Sequence, residues 1–168
     1  MKLIISRDDL LNHPCEKYDD LPLKETFNAI EEIAKRGGKA IDVLWLIKNC
    51  VLAQTPEILE YYKSLKPSFN AVIWLIINCE FAQTDEMIEY YKSLKPSYNA
   101  VSWFIKKCKF AQTNEMLEYY KSLKPSFNDV NWFIKKCKFV QTPEILEYFK
   151  SLNPTTTQVR WLINRLES

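Results

Sequence analysis

Apolar residues fall into two alternating rhythms along most of the chain. In "TDEMIEYYKSLKP", Met87, Tyr90, Tyr91 and Leu94 recur at i, i+3, i+4 and i+7, and Glu89, Lys92 and Ser93 separate them. That spacing predicts an amphipathic helix. Thr84 stands just before it, where a hydroxyl accepts a hydrogen bond from an orphan amide of the first turn. Thr55, Thr113 and Thr142 occupy matching places, and Pro56 and Pro143 follow two of them. Proline is harmless at the first helical position, where its missing N–H has no partner to lose. Glu57, Glu86, Glu115 and Glu144 then sit beside the positive end of each helix, and Pro96 closes the example.

The stretch before each such helix has a different rhythm. Phe69, Val72, Leu75, Ile76 and Cys79 form one stripe of a helix running from Asn70 to Glu80. Trp74 lies roughly opposite that stripe, with Phe81 below it at i+7. A surface helix has one apolar face. Two faces suit an inner helix that touches its own partner and its neighbours.

The two rhythms recur together. Trp45, Trp74, Trp103, Trp132 and Trp161 stand 29 residues apart, and Cys50, Cys79, Cys108 and Cys137 keep the same step. Ser68–Pro96 and Ser97–Pro125 differ at only eight of 29 positions, so the copies are true repeats. A period of this size predicts a stacked array. The expected fold is all-α: a short right-handed α-solenoid of four helix-turn-helix repeats, 39–67, 68–96, 97–125 and 126–154, plus a closing half-repeat, 155–168. Residues 1–38 lie outside the repeat and read as a helical N-terminal cap. There "LPLKETFNAIEEIAKRGG" is expected to form a helix with Leu23, Phe27, Ile30 and Ala34 inward and Gly37 as its stop.

Helix pairs in tandem resemble the α-solenoid class, the architecture of tetratricopeptide and HEAT arrays. The resemblance runs from Lys39 to the C-terminus and is one of architecture. The 29-residue unit is shorter than the tetratricopeptide unit and lacks that family's Trp–Leu–Gly–Tyr pattern. Such arrays are binding scaffolds, and the resemblance implies that role here.

Composition narrows the field. The chain has 168 residues, 47% hydrophobic and 26% charged, with two glycines and eight prolines. That suits a helical globular domain rather than a hairpin-rich or disordered one. A net charge of +2 forces neither a nucleic-acid nor a membrane partner. The longest apolar run, Ala71 to Ile77, is far too short for a membrane span. "MKLIIS" is followed at once by Arg7, Asp8 and Asp9, unlike a signal peptide. A cytoplasmic protein is expected.

Catalytic and metal chemistry find little foothold. The repeated cysteines lie on the inward stripe, and the closing helix carries Leu166 at the matching place, so the position wants an apolar group. No zinc-site spacing occurs. Glu57 and Glu60 recur in every unit, whereas an active site is normally singular. The singular place is "NHPCEKYDDLP", where His13 and Cys15 lie near Glu16, Asp19 and Asp20. A Cys–His nucleophile there is the weakest functional reading. No enzyme activity, cofactor or metal is expected.

Function is sought where the copies differ. "WLIINCEF" becomes "WFIKKCKF" in the next two units, so that Ile77, Asn78 and Glu80 give way to Lys106, Lys107 and Lys109, then to Lys135, Lys136 and Lys138. Stacking predicts one basic ridge. Ser68–Pro96 has two lysines against four acids, and Ser97–Pro125 has five against two. Arg160 and Arg165 extend the trend. A second row drifts from Leu44 and Ile73 to Ser102, Asn131 and Arg160.

The tryptophans have two readings, as packing between units or as a ladder facing a ligand. On the second reading Trp103, Trp132 and Trp161 join the lysines as the binding surface. The expected function is a protein-binding module, an adaptor or an inhibitor, whose partner is acidic at the point of contact. Single-stranded nucleic acid, with its phosphates and stacking bases, is the runner-up.

Overall fold

In a computed structural model the chain is nearly all helical. The structure describes residues 2–6, 9 and 27–166, with the side chains of Phe27, Trp161 and 163–166 outside the description. Two compact units emerge, Met1–Lys95 and Pro96–Ser168.

The first unit begins with a feature absent from the helical expectation. Strand β1 (Ile4–Ile5) pairs antiparallel with β2 (Phe27–Asn28), Ile4 opposite Asn28 and Ile5 opposite Phe27. The Asn28 Oδ1 accepts from the Leu3 amide at 3.1 Å. Helix α1 therefore starts only at Ala29 and runs to Lys35. The longer helix expected from "LPLKETF" onward is corrected by this pairing, which takes up the backbone at 27–28. Ala29, Ile30 and Ile33 are buried, whereas Ala34, expected inward, faces solvent. Leu23 lies outside the described residues. Gly37 and Gly38 end the helix with φ of 105° and 58°, a conformation glycine adopts without a Cβ penalty.

Among the described residues the first unit has four more α-helices: α2 (Ala40–Asn49), α3 (Pro56–Ser64), α4 (Phe69–Asn78) and α5 (Asp85–Ser93). The second unit has α6 (Tyr98–Lys107), α7 (Asn114–Ser122), α8 (Phe127–Lys136), α9 (Pro143–Ser151) and α10 (Thr156–Leu166). Within each unit a first-type helix packs on its following partner, α2 on α3, α4 on α5, α6 on α7 and α8 on α9. Successive first-type helices also touch, α2 with α4 and α6 with α8.

Each first-type helix is shorter than its apolar rhythm suggests. α4 stops at Asn78, because Cys79 turns extended with φ −133° and ψ 105°. A 3-10 turn, Glu80–Ala82, follows. Phe81 is therefore on that turn and not a seventh-residue neighbour of Trp74 on one helix, as expected. A repeated glutamine ties the break: the Gln54, Gln83, Gln112 and Gln141 side-chain amides donate to the Ile47, Ile76, Ile105 and Ile134 carbonyls at 3.0–3.2 Å. Carbonyls at a helix end lack intrahelical donors, and the glutamine supplies one.

The threonine caps are in place. Thr84 and Thr113 hydroxyls accept from Met87 and Met116 amides at 3.2 Å, and Thr55 and Thr142 do the same for Ile58 and Ile145. Serines cap the first-type helices, Ser68, Ser97 and Ser126, the last in a reciprocal box with Asp129. The inward stripe of the second-type helix is Met87, Ile88 and Tyr91, with Tyr90 and Leu94 at its half-buried edge. The repeated cysteines are buried at 0–5% exposure.

Candidate functional site: the tryptophan and lysine face of the first-type helices

Helical geometry sets what the first-type helices present. Val101, Phe104 and Ile105 of α6, and Val130, Phe133 and Ile134 of α8, are fully buried. The tryptophan three residues after the valine's predecessor, on the opposite side, is left outside. Trp74, Trp103 and Trp132 are 38%, 44% and 43% exposed. Each residue is thus more than half covered and also meets solvent.

In the second unit one lysine reaches such a ring. The Lys106 Nζ lies 5.5 Å from the centroid of Trp132, so one lysine of α6 crosses to the ring of α8. Such cation–π contacts contribute about 0.5–1 kcal/mol at exposed sites. Lys107 and Lys136 are exposed, and Lys106 and Lys135 are half-buried. All four occupy the last turns of α6 and α8, where positive charge also complements the helix dipole. Lys109 and Lys138 are exposed but belong to the 3-10 turns, after the chain has left the helix. Arg160 is exposed on α10. The side chains of Trp161 and Arg165 lie outside the described residues.

The first unit repeats the arrangement with different chemistry. The Lys48 Nζ lies 5.1 Å from the centroid of Trp74, the same register as Lys106 over Trp132. Between α2 and α4 is an open groove of about 610 Å³, lined by Ile41, Leu44, Trp45, Lys48, Asn49, Asn70, Ala71 and Trp74. Ile41 is 59% exposed at its edge. Sequence reasoning missed this groove because it followed the lysines. The signal was present: Ile41 stands where the later units carry Asn70, Asn99 and Asn128.

No family model, curated protein or solved structure matches this chain. The site therefore rests on its own geometry.

The drifting row runs as a gradient of burial. Leu44, Ile73 and Ser102 are buried, Asn131 is half-buried and Arg160 is exposed. The Ser102 hydroxyl meets its burial by donating to the Asn99 carbonyl at 3.0 Å.

The four described cysteines are all buried. Burial pushes the Cys50 and Cys137 thiols up, against the opposing pull of backbone amides and, for Cys137, of nearby Lys106. Among the described residues no group of three His, Cys, Asp or Glu could hold a metal. His13, Cys15, Glu16, Asp19 and Asp20 lie outside the described residues. No helix among those described is long and apolar enough to cross a membrane.

Proposed function

We propose that the chain is a non-enzymatic protein-binding module, an adaptor or inhibitor of a larger protein or complex. Its binding surface is the tryptophan and lysine face of the first-type helices, and its partner is acidic at the contact. The observation that carries this reading is the exposure of Trp74, Trp103 and Trp132, each 38–44% open to solvent. Indole rings anchor interfaces because they bury much apolar area at little entropic cost, and flanking cations select acidic partners. Four buried free thiols suit a reducing compartment such as the cytoplasm.

Nucleic acid competes for the same lysines. Base stacking needs a free aromatic face. Lys106 lies over one face of Trp132, and Lys48 over one face of Trp74. That stacking weighs toward a protein occupant.

The test compares the wild type with the combined variant Lys106→Glu, Lys107→Glu, Lys135→Glu and Lys136→Glu. Capture from lysate of one stoichiometric partner by the wild type alone, stable at moderate salt, supports the proposal. Equal capture by both proteins contradicts it. Quenching of tryptophan emission by single-stranded RNA, with affinity falling steeply as salt rises, would move the function to nucleic acid.

A further inference from the structure

The groove between α2 and α4 of the first unit differs in chemistry from the lysine-bearing helices of the second. Its lining is mostly apolar, with Ile41, Leu44, Trp45, Ala71 and Trp74. Its volume, about 610 Å³, falls in the range of pockets that enclose a drug-sized group or a few large side chains. Its polar groups are few and carry no negative charge: Lys48, Asn49 and Asn70. Asn49 is partly committed, since its side-chain amide donates to the Trp45 carbonyl at 2.7 Å.

Lys48 supplies the directional group. It is exposed, its ammonium rests over the Trp74 ring at 5.1 Å, and it forms no ion pair among the described residues. Asp42, the acid of the same helix, is buried at 7% exposure. Among the described residues the rim thus presents one cation without a paired acid, beside an apolar floor.

We infer that the α2–α4 groove docks a short acidic–apolar segment of a partner protein, with apolar anchors between Trp45 and Trp74 and a carboxylate on Lys48. This inference deepens the proposed function by naming a contact that the first unit makes with a partner, and it rests on that reading. Charge complementarity selects the occupant. A basic segment would meet Lys48 with like charge, and a purely apolar one would leave the ammonium without a counter-ion. Strand addition is excluded because α2 and α4 offer no free sheet edge, which leaves anchoring by side chains. The exposed Ile41 extends the apolar floor to the rim, a property the aligned asparagines of the later first-type helices do not share.

The experiment is direct binding to the full chain of an array of synthetic peptides, each roughly a dozen residues. Every peptide has leucine, phenylalanine or tryptophan anchors and flanking aspartate or glutamate, with a matched set carrying lysine instead. Ile41→Asp and Lys48→Glu are surface changes, and circular dichroism checks that both variants keep the fold. The expected result is that the acidic set binds, that Lys48→Glu weakens it about tenfold or more and improves the lysine set, and that Ile41→Asp weakens both. The inference is overturned if no peptide binds, if affinity ignores peptide charge and Lys48→Glu, or if dodecanoate binds where peptides do not. Should the groove fail while the four-lysine variant still loses its lysate partner, the docking inference alone falls. Loss of both results removes the proposed function itself.

Discussion

Tyr62 and Tyr120 each bury a hydroxyl that has no hydrogen-bond partner among the described residues. The fourth copy has Phe149 at the corresponding place, equally buried. An unpartnered buried hydroxyl costs about 1–3 kcal/mol relative to solvent. Tyr120→Phe should therefore raise stability by about 1 kcal/mol, read as a higher urea midpoint with unchanged slope. A drop in the midpoint would show that the hydroxyl is satisfied. Lys66, Lys95 and Lys124 present a related strain, each with φ near 51–52° just before a proline. The fourth copy carries Asn153 there, at φ 53°. Asparagine tolerates the left-handed region far better than lysine. Lys124→Asn should stabilise by about 0.5–1 kcal/mol, visible as a raised melting temperature. In both cases the repeats themselves supply the better residue.

At the scale of elements, caps and ties define where helices start and stop. The threonine caps were legible, because Thr at fixed spacing before an apolar rhythm has one strong interpretation. Thr113→Ala should cost about 1 kcal/mol, since the Met116 amide loses its acceptor. The glutamine ties were not legible. Gln112 reads as an ordinary polar loop residue, and only the structure brings its amide to the Ile105 carbonyl, seven residues back. Gln112→Leu should cost about 1 kcal/mol by orphaning that carbonyl, with the loss measured by chemical unfolding. The overlong expectation for the first-type helices has the same origin. Cysteine and phenylalanine continue the apolar pattern across Cys79 and Phe81, and nothing in that pattern marks the extended turn. The β1–β2 pair was missed because two residues per strand are too few for alternation to show.

At the scale of the whole molecule, the all-helical class was legible from the 29-residue period, because each copy adds independent weight to one pattern. The face proposed to bind was only half legible. Drift between copies located Lys106, Lys107, Lys135 and Lys136, but the choice between packed and exposed tryptophans depends on how neighbouring helices sit. Burial also shapes the response to pH. It holds the Tyr62 and Tyr120 phenols and the Cys50 and Cys137 thiols above their ordinary pKa values. Each group then ionises more readily in the unfolded chain, so its contribution is complete below the unfolded pKa and is lost as pH rises. Stability should stay level toward neutral pH and fall from about pH 8.5 through pH 10 and beyond. Urea midpoints across that range measure it, and a midpoint that rises with alkali would contradict the burial of these groups.

The central claim is that the tryptophan face, and not the opposite surface, meets the partner. Site-specific photo-crosslinking tests it most directly. A benzophenone amino acid replaces Trp132 in one protein and the exposed Glu118 of α7 in another. The account predicts a discrete crosslinked product from position 132 and none from position 118. A product from 118 with nothing from 132 would contradict it.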